Sequence, residues 1–165
     1  MSLTRGVYTL LIKLENQYRI SLKPNKGWYL PKGYYVYTGS ALGRGSTSLE
    51  KRLKRHLRVN KKVFWHIDRL LNGSGKVIKV AYAIAAAKME CELNQTISSL
   101  LQSTPIKGFG SSDCRGGCMG HLLYLNSQPR DLTLTLRRAY QLLGLNYREL
   151  SVESKGRCNF GSGYI

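Results

Sequence analysis

The spacing of hydrophobic and polar residues changes along the chain, and each stretch predicts its own kind of element. Apolar, β-branched and aromatic stretches predict strands at residues 6–15, 18–22, 33–40, 77–86 and 121–125. Apolar positions with helical spacing predict helices at residues 48–59, 64–71, 88–102 and 132–143. The second strand is expected to pair with the first as a hairpin. Turn-forming residues predict loops at residues 24–33 and 104–120.

This order of strands and helices predicts a mixed α/β fold with a small sheet. The chain has 165 residues, which indicates one domain, with or without an appendage. That length is sufficient to bury a substantial hydrophobic core. The last fifteen residues are polar and rich in glycine, and their pattern predicts no element.

Charge is the strongest feature of the composition. Lys and Arg number 26 against 9 Asp and Glu, a net charge of +17, while 42% of the residues are hydrophobic. That apolar fraction excludes a disordered chain. The excess of positive charge predicts a polyanionic partner, and favours nucleic acid over an acidic protein. It argues against a cationic substrate.

The sequence contains no apolar stretch of the roughly 18 residues that a membrane span needs, and its first residues do not form a signal-peptide pattern. We therefore expect no membrane partner. Four cysteines in 165 residues are too few for a disulfide framework, which favours a reducing, cytoplasmic location.

The predicted helix at 48–59 separates its basic residues into two groups. Arg52 and His56, four residues apart, lie on one flank of the apolar stripe formed by the leucines, where a cleft would begin. The other basic residues are expected to point outwards and contact phosphates, and two lysines extend the same surface. This set is Lys51, Lys54, Arg55, Arg58, Lys61 and Lys62. The alternative is a solvated helix face.

Glu90 is placed on the apolar face of the predicted helix at 88–102, whereas Glu92 points to solvent. A carboxylate on an apolar face is costly unless it is paired or binds a metal. Two simpler interpretations stay open: a salt bridge to a buried arginine, and a favourable position at the helix N-terminus.

With these residues in place, the chain resembles the GIY-YIG endonuclease superfamily. The tripeptide GVY at residues 6–8 matches the first motif of that family, and YTG at 37–39 matches the second, with threonine where isoleucine is usual. Arg52, His56 and Glu90 match its arginine, its histidine and its metal-binding glutamate. The strings YYVYTGSALG, RLKRHLR, FWHID and MECEL resemble the Uri-type branch, a domain sometimes joined to endonuclease III.

The resemblance implies a GIY-YIG-like domain over residues 1–125, with a small, mostly antiparallel central sheet flanked by helices. Residues 126–165 would form a C-terminal helical extension that packs on this domain. The implied activity is hydrolysis of a phosphodiester with one Mg²⁺ or Mn²⁺ ion. A single carboxylate supplemented by water suits such an ion, and the cation assists the reaction at the phosphate.

The resemblance also assigns roles to five residues. Tyr8 would act as, or near, the general base, assisted by Tyr37 and His56. Arg52 would stabilise charge on the scissile phosphate, and Glu90 would hold the metal ion.

Many members of the superfamily carry an asparagine beyond the glutamate, and here a serine or aspartate would replace it. Residues that could line the cleft are Gly39, Ser40, His66, Asp68, Ser111, Ser112 and Asp113. His66 and Asp68 could instead brace the short helix at 64–71. Trp65 is expected in the core, with base stacking as the alternative.

Cys114, Cys118 and His121 form part of a zinc-ligand pattern, but the spacing C-x3-C-x2-H is not a standard one. His66, Cys91 or Cys158 would have to complete it. We expect loop thiols near the active site rather than structural zinc.

The leading prediction is a metal-dependent endonuclease acting on DNA, with RNA as an open possibility. The alternative is a catalytically weak or inactive nucleic-acid-binding module of the same fold. A basic structural protein of a ribonucleoprotein is a third possibility. The net charge of +7 over residues 44–69 favours the first two, because a structural protein would spread its charge. The oligomeric state is left open.

Overall fold

Two long strands form the centre of the molecule, and the other elements are arranged around them. The computed structural model describes residues 4–126, 130–150 and 152. Its strands are β1 (Gly6–Leu14), β2 (Tyr18–Lys23), β3 (Lys26–Leu30), β4 (Gly33–Ala41), β5 (Lys76–Ile84), β6 (Ser103–Pro105), β7 (Leu122–Leu125) and β8 (Arg148–Leu150). Its helices are α1 (Leu49–Leu57), α2 (His66–Asn72), α3 (Glu90–Leu100) and α4 (Leu132–Leu142), with one 3-10 turn at Gly45–Thr47.

The main sheet has six strands among the described residues, in the order β6-β7-β4-β1-β5-β8. Every pairing in this sheet is antiparallel. Strand β1 lies between β4 and β5 and is buried along almost its whole length. The predicted mixed α/β class with a mostly antiparallel central sheet is confirmed.

The predicted hairpin between residues 6–15 and 18–22 is wrong. Strand β2 pairs with β3, placing Ile20 opposite Trp28, and these two strands form a separate sheet. Strand β1 cannot accept β2 because β4 and β5 already occupy both of its edges. The turn between β2 and β3 includes Asn25 at a φ of 62°, a conformation that asparagine tolerates well. Strand β3 lies in the loop predicted at residues 24–33, and β6 overlaps the start of the loop predicted at residues 104–120.

Alternate residues of the central strands face two hydrophobic layers, as the two-residue period of a strand requires. Leu10 and Ile12 pack in a cluster that includes Leu53 of α1 and Leu70 of α2. Val7 packs in a second cluster with residues of α3 and α4, namely Leu93, Ile97, Leu136 and Tyr140. Helices α1 and α2 thus cover one face of the sheet, and α3 and α4 cover the other.

The helices begin near their predicted positions. Ser48 caps α1, because its side chain accepts a hydrogen bond from the Lys51 backbone N–H. Helix α4 packs against α3 in the second cluster through Leu132, Leu136 and Ala139. The longest described helices have 11 residues, and within residues 4–126 and 130–150 none is long and apolar enough to cross a membrane.

Candidate active site

Strands β1 and β4 bring the two predicted tyrosines to one wall of a cleft. Tyr8 lies opposite Gly39 and Leu10 lies opposite Tyr37, so the four residues share one face of the sheet. The Tyr8 and Tyr37 rings have centroids 6.4 Å apart. A Cβ atom at position 39 would lie 2.5 Å from the Tyr8 hydroxyl oxygen. Gly39 therefore provides the space that the Tyr8 ring occupies.

His56 lies behind Tyr8. The Tyr8 hydroxyl oxygen is 2.7 Å from His56 Nε2, and His56 itself is 3% exposed. Burial lowers the pKa of His56 to about 3, so the imidazole is neutral near pH 7. Burial, reinforced by the nearby Tyr37, raises the pKa of Tyr8 well above its ordinary value. We therefore assign a protonated Tyr8 hydroxyl that donates to the neutral imidazole.

Arg52 reaches the cleft from α1 and is held from two directions. Its Nη1 donates to the Ser40 carbonyl at 2.8 Å, and its guanidinium lies 4.6 Å from the centre of the Trp65 ring. The positive charge of Arg52 near the Tyr8 hydroxyl partly opposes the rise in the Tyr8 pKa. Arg52 is thus positioned beside the Tyr8 hydroxyl. The two groups that orient it, the Ser40 carbonyl and the Trp65 ring, carry no negative charge.

Glu90 lies in the first turn of α3 and lines the same cleft. It is 8% exposed, and its Oε1 lies 3.0 Å from Nζ of the exposed Lys88. The predicted alternative of a buried arginine partner is thus wrong, since the partner is a surface lysine. The position in the first helical turn agrees with the helix-dipole interpretation.

The cleft lies between the β1–β4 wall, α1, the start of α3 and the segment that joins β6 to β7. Its lining residues are Tyr8, Tyr37, Thr38, Gly39, Ser40, Arg52, Phe64, Trp65, His66, Glu90, Gly110, Ser112, Asp113 and His121. The hydroxyl oxygens of Thr38 and Ser40 are buried and have no hydrogen-bond partner. Both residues belong to the face of β4 opposite to that of Tyr37 and Gly39, so their hydroxyls do not point towards Tyr8.

Next to this cleft, three cysteines and a histidine come together. The ligand atoms of Cys91, Cys114, Cys118 and His121 all lie within 4.8 Å of one another. Of the three residues that could have completed the pattern, Cys91 does so. His66 is elsewhere, where its Nδ1 accepts a hydrogen bond from the Gly110 N–H, and Cys158 lies outside the described residues.

Comparison with known proteins identifies the family to which the chain belongs. A family profile described as Domain of unknown function DUF123 matches residues 7–144. The chain belongs to the DUF123 family. The match covers both tyrosines, the cleft, three of the four cysteines and helix α4. No curated protein and no solved structure matches the chain.

Two residues of the DUF123 domain that were expected to contact phosphates instead make contacts within the fold. Arg55 makes a bidentate salt bridge with the fully buried Asp68, with N···O distances of 2.8 and 2.9 Å. Lys61 is 7% exposed, and burial lowers the pKa of its ammonium group. The outward placement expected for both residues is therefore wrong: Arg55 joins α1 to α2 through Asp68, and the Lys61 backbone is hydrogen-bonded to Asn72 at the end of α2.

Asp68 braces α2 rather than lining the cleft. Its Oδ2 accepts hydrogen bonds from the backbone N–H groups of Phe64 and Trp65. Burial opposes ionisation of this carboxyl, but the Arg55 guanidinium and those N–H groups outweigh it, so the Asp68 pKa is lowered. Ser111 also lies outside the cleft lining, and its hydroxyl faces the Met119 carbonyl.

Trp65 differs from its expected place in the core. It is 40% exposed and Phe64 is 65% exposed, and both line the cleft together with the unpredicted Thr38 and Gly110. The signal in the sequence was the position of both aromatic residues between the basic helix α1 and the start of α2. The remaining predicted phosphate-contacting residues, Lys51, Lys54, Arg58 and Lys62, are exposed.

Proposed function

We propose that this DUF123 domain is a metal-dependent endonuclease of the GIY-YIG type that hydrolyses phosphodiester bonds in DNA. One observation carries the proposal: Tyr8, Tyr37, Arg52 and Glu90, from four separate elements, line a single cleft. The net charge of +17 supports a polyanionic substrate.

The chemistry of the cleft fits a phosphodiester. Arg52 presents a fixed cation to the cleft, and a guanidinium matches the geometry of phosphate oxygens. Donors arranged before the substrate arrives stabilise developing charge without reorganisation, and each is typically worth about 10²–10³ in rate.

Tyr8 and His56 provide a route for a proton. When the Tyr8 oxygen accepts the proton of an attacking water molecule, its own proton can pass to His56 Nε2, 2.7 Å away. Because burial keeps His56 neutral, Nε2 has a lone pair available. General acid–base catalysis of this kind contributes roughly 10²–10⁴ in rate.

The donor set at the start of α3 fits Mg²⁺ or Mn²⁺. Glu90 would hold the ion, and the carboxylate of Asp113 and the hydroxyl of Ser112 line the same cleft. Oxygen ligands from one or two carboxylates, supplemented by water, are what Mg²⁺ takes in phosphoryl-transfer sites. Bound there, the ion would supply Lewis-acid stabilisation of phosphate charge.

Phe64 and Trp65 give the cleft a rim suited to nucleic acid. Lys62 Nζ lies 5.4 Å from the centre of the Phe64 ring, and Arg52 lies against Trp65. Exposed aromatic rings interleaved with cations can stack on bases while the cations contact the phosphate backbone. This combination supports nucleic acid over an acidic protein as the partner.

Cleavage assays with the full chain test the proposal. Plasmid, linear duplex, single-stranded and branched DNA, and one RNA strand, are incubated with Mg²⁺ or Mn²⁺. We expect wild type to cut at least one DNA substrate, and Glu90→Gln and Tyr8→Phe to lose at least about 10²-fold in rate while binding is retained. Glu92→Gln is the matched control, since Glu92 lies in the same helical turn but is exposed.

Equal cleavage by every variant would identify a contaminating nuclease and remove support for the assigned residues. Binding without cleavage of any substrate would favour the second candidate, a nucleic-acid-binding module. One observation favours that candidate: burial lowers the pKa of His56 to about 3, so the imidazole is a weak acceptor for the Tyr8 proton.

A further inference from the structure

The group formed by Cys91, Cys114, Cys118 and His121 is assembled from two parts of the fold, helix α3 and the segment that joins β6 to β7. Cys91 is the second residue of α3, and His121 directly precedes β7. The other two cysteines lie in the segment between β6 and β7. Cys91 Sγ lies 3.3 Å from Cys114 Sγ and 3.8 Å from His121 Nε2, and all four ligand atoms fit within 4.8 Å.

Three thiolates and one imidazole form a standard ligand set for tetrahedral Zn²⁺. With Zn–S bonds of about 2.3 Å, ligand sulfurs around a tetrahedral ion lie roughly 3.8 Å apart. Since every pair of ligand atoms lies within 4.8 Å, their separations need to change by roughly 1 Å at most to reach this arrangement. A Cys91–Cys114 disulfide would require an S–S distance of about 2.05 Å, and it would leave Cys118 and His121 without a role.

The segment that carries Cys114 and Cys118 has the backbone needed to fold both thiols towards α3. Gly117 has a φ of +75°, a conformation that most side chains rarely adopt. A Cβ atom at Gly116 would lie 2.8 Å from the Cys91 Cβ. The glycines thus let the segment turn sharply against α3.

Helix α3 fixes this segment by hydrogen bonds beside the ligands. Gln95 Nε2 donates to the Gly116 carbonyl at 3.0 Å, and Asn94 Nδ2 donates to the Gly120 carbonyl at 2.9 Å. Hydrogen bonds that hold ligand-bearing backbone in place are typical of metal sites, because they orient the ligands before the ion binds.

We propose that Cys91, Cys114, Cys118 and His121 bind one structural Zn²⁺ ion. Four protein ligands close the coordination sphere, so the ion has no open position for substrate. Its role is to join the first turn of α3, which carries Glu90, to the segment that carries Ser112 and Asp113. The site is separate from the magnesium or manganese ion of the proposed function and does not depend on it.

Metal content of the full chain tests this proposal without any activity measurement. The protein is purified under reducing conditions, and its zinc content is measured by inductively coupled plasma mass spectrometry. We expect about one zinc ion per chain for wild type, and a large loss of zinc for Cys118→Ala and His121→Ala. Cys158→Ser is the matched control, because the ligand set is already complete, and it should keep its zinc.

Cobalt substitution provides a second readout that does not require any variant to fold. Wild type loaded with Co²⁺ should show sulfur-to-cobalt charge-transfer bands and the visible bands of a tetrahedral site, and Zn²⁺ should displace both. Reduced, folded wild type that holds no zinc as purified, takes up none on titration and gives no such bands would overturn the proposal. A Cys91–Cys114 disulfide found by peptide mapping of the reduced preparation would also overturn it.

Discussion

Arg52 and Arg55 lie three residues apart on α1, and their guanidinium groups lie 4.6 and 4.5 Å from the centre of the same Trp65 ring. Their surroundings otherwise differ. Arg55 is neutralised by the buried carboxylate of Asp68. Arg52 donates to a neutral carbonyl at Ser40 and faces the cleft. One aromatic side chain thus separates a structural cation from a cation available to a ligand.

The comparison shows why a count of basic residues does not measure a binding surface. Both arginines add to the net charge of +7 over residues 44–69, but only Arg52 lines the cleft. The charge of Arg55 is matched by an acid thirteen positions further along the chain. A local sequence window therefore cannot distinguish the two.

The largest effect is expected on stability, when each of the two arginines is replaced by alanine in a separate variant. Arg55→Ala should lower the free energy of unfolding by about 3–5 kcal/mol, because it leaves Asp68 as a buried charge without its partner. Arg52→Ala should cost about 1 kcal/mol, since it loses one hydrogen bond and an exposed ring interaction. Urea unfolding followed by circular dichroism measures both.

The double variant Arg55→Ala, Asp68→Asn checks this explanation, because it removes the buried charge and should recover part of the loss. Equal destabilisation by the two single alanine variants would contradict the distinction between the arginines. Cleavage by folded Arg52→Ala at the wild-type rate would contradict the phosphate role of Arg52.

A smaller effect on the free energy of unfolding is expected from protonation of His56, which follows Arg55 on α1 and contacts Tyr8. Its pKa is about 3 in the folded protein against an ordinary value of 6.5, so the unfolded chain binds the proton more readily. Its contribution to stability is therefore present above about pH 6.5 and is lost as the pH falls towards 3. Between pH 7 and pH 5 the loss should be about 2 kcal/mol, measured by urea unfolding at each pH.

His56→Gln is the control for this measurement, because other groups also titrate in the same range. Burial lowers the pKa of both His66 and His121, and these groups remain in the variant. The variant should thus lose less stability than wild type between the same two pH values. Identical losses would show that His56 is not the buried neutral group described above.

The smallest effects are expected on DNA affinity, when the exposed basic residues beside the cleft are substituted. Substituting Lys51, Arg58 or Lys62 by glutamine should reduce the slope of log affinity for duplex DNA against log salt by about 0.9 for each phosphate that the original side chain neutralises. Arg137→Gln is the matched control, since Arg137 lies on α4 across the sheet. Fluorescence anisotropy titrations between 50 and 200 mM salt measure these slopes, and an equal effect of Arg137→Gln would indicate that the binding surface is not localised at α1.

The sequence predicts best where the determinants are local. Strand β4 and helix α1 follow from residue type, spacing and the Ser48 cap, and the structure has them within two residues of the predicted bounds. The pairing of β2 was wrong because it depends on which strands occupy the edges of β1. No pattern within β2 records that choice.

The same division holds for the candidate site. The motif residues Tyr8, Tyr37 and Glu90 were placed together because the family resemblance supplied their long-range relationship. The contribution of Cys91 could only be raised as one of three possibilities, since it lies 23 residues before Cys114. The exposure of Trp65 depends on the packing of α2 against α1, which spacing along the chain does not report.

The space beside Tyr8 has an evolutionary consequence. Since a Cβ atom at position 39 would lie 2.5 Å from the Tyr8 hydroxyl oxygen, position 39 cannot accept a side chain while Tyr8 is present. A larger residue at 39 becomes tolerable only after the ring at position 8 has been replaced, which also removes the hydroxyl. Descendants of this sequence are therefore expected to keep glycine at position 39 for as long as they keep tyrosine at position 8.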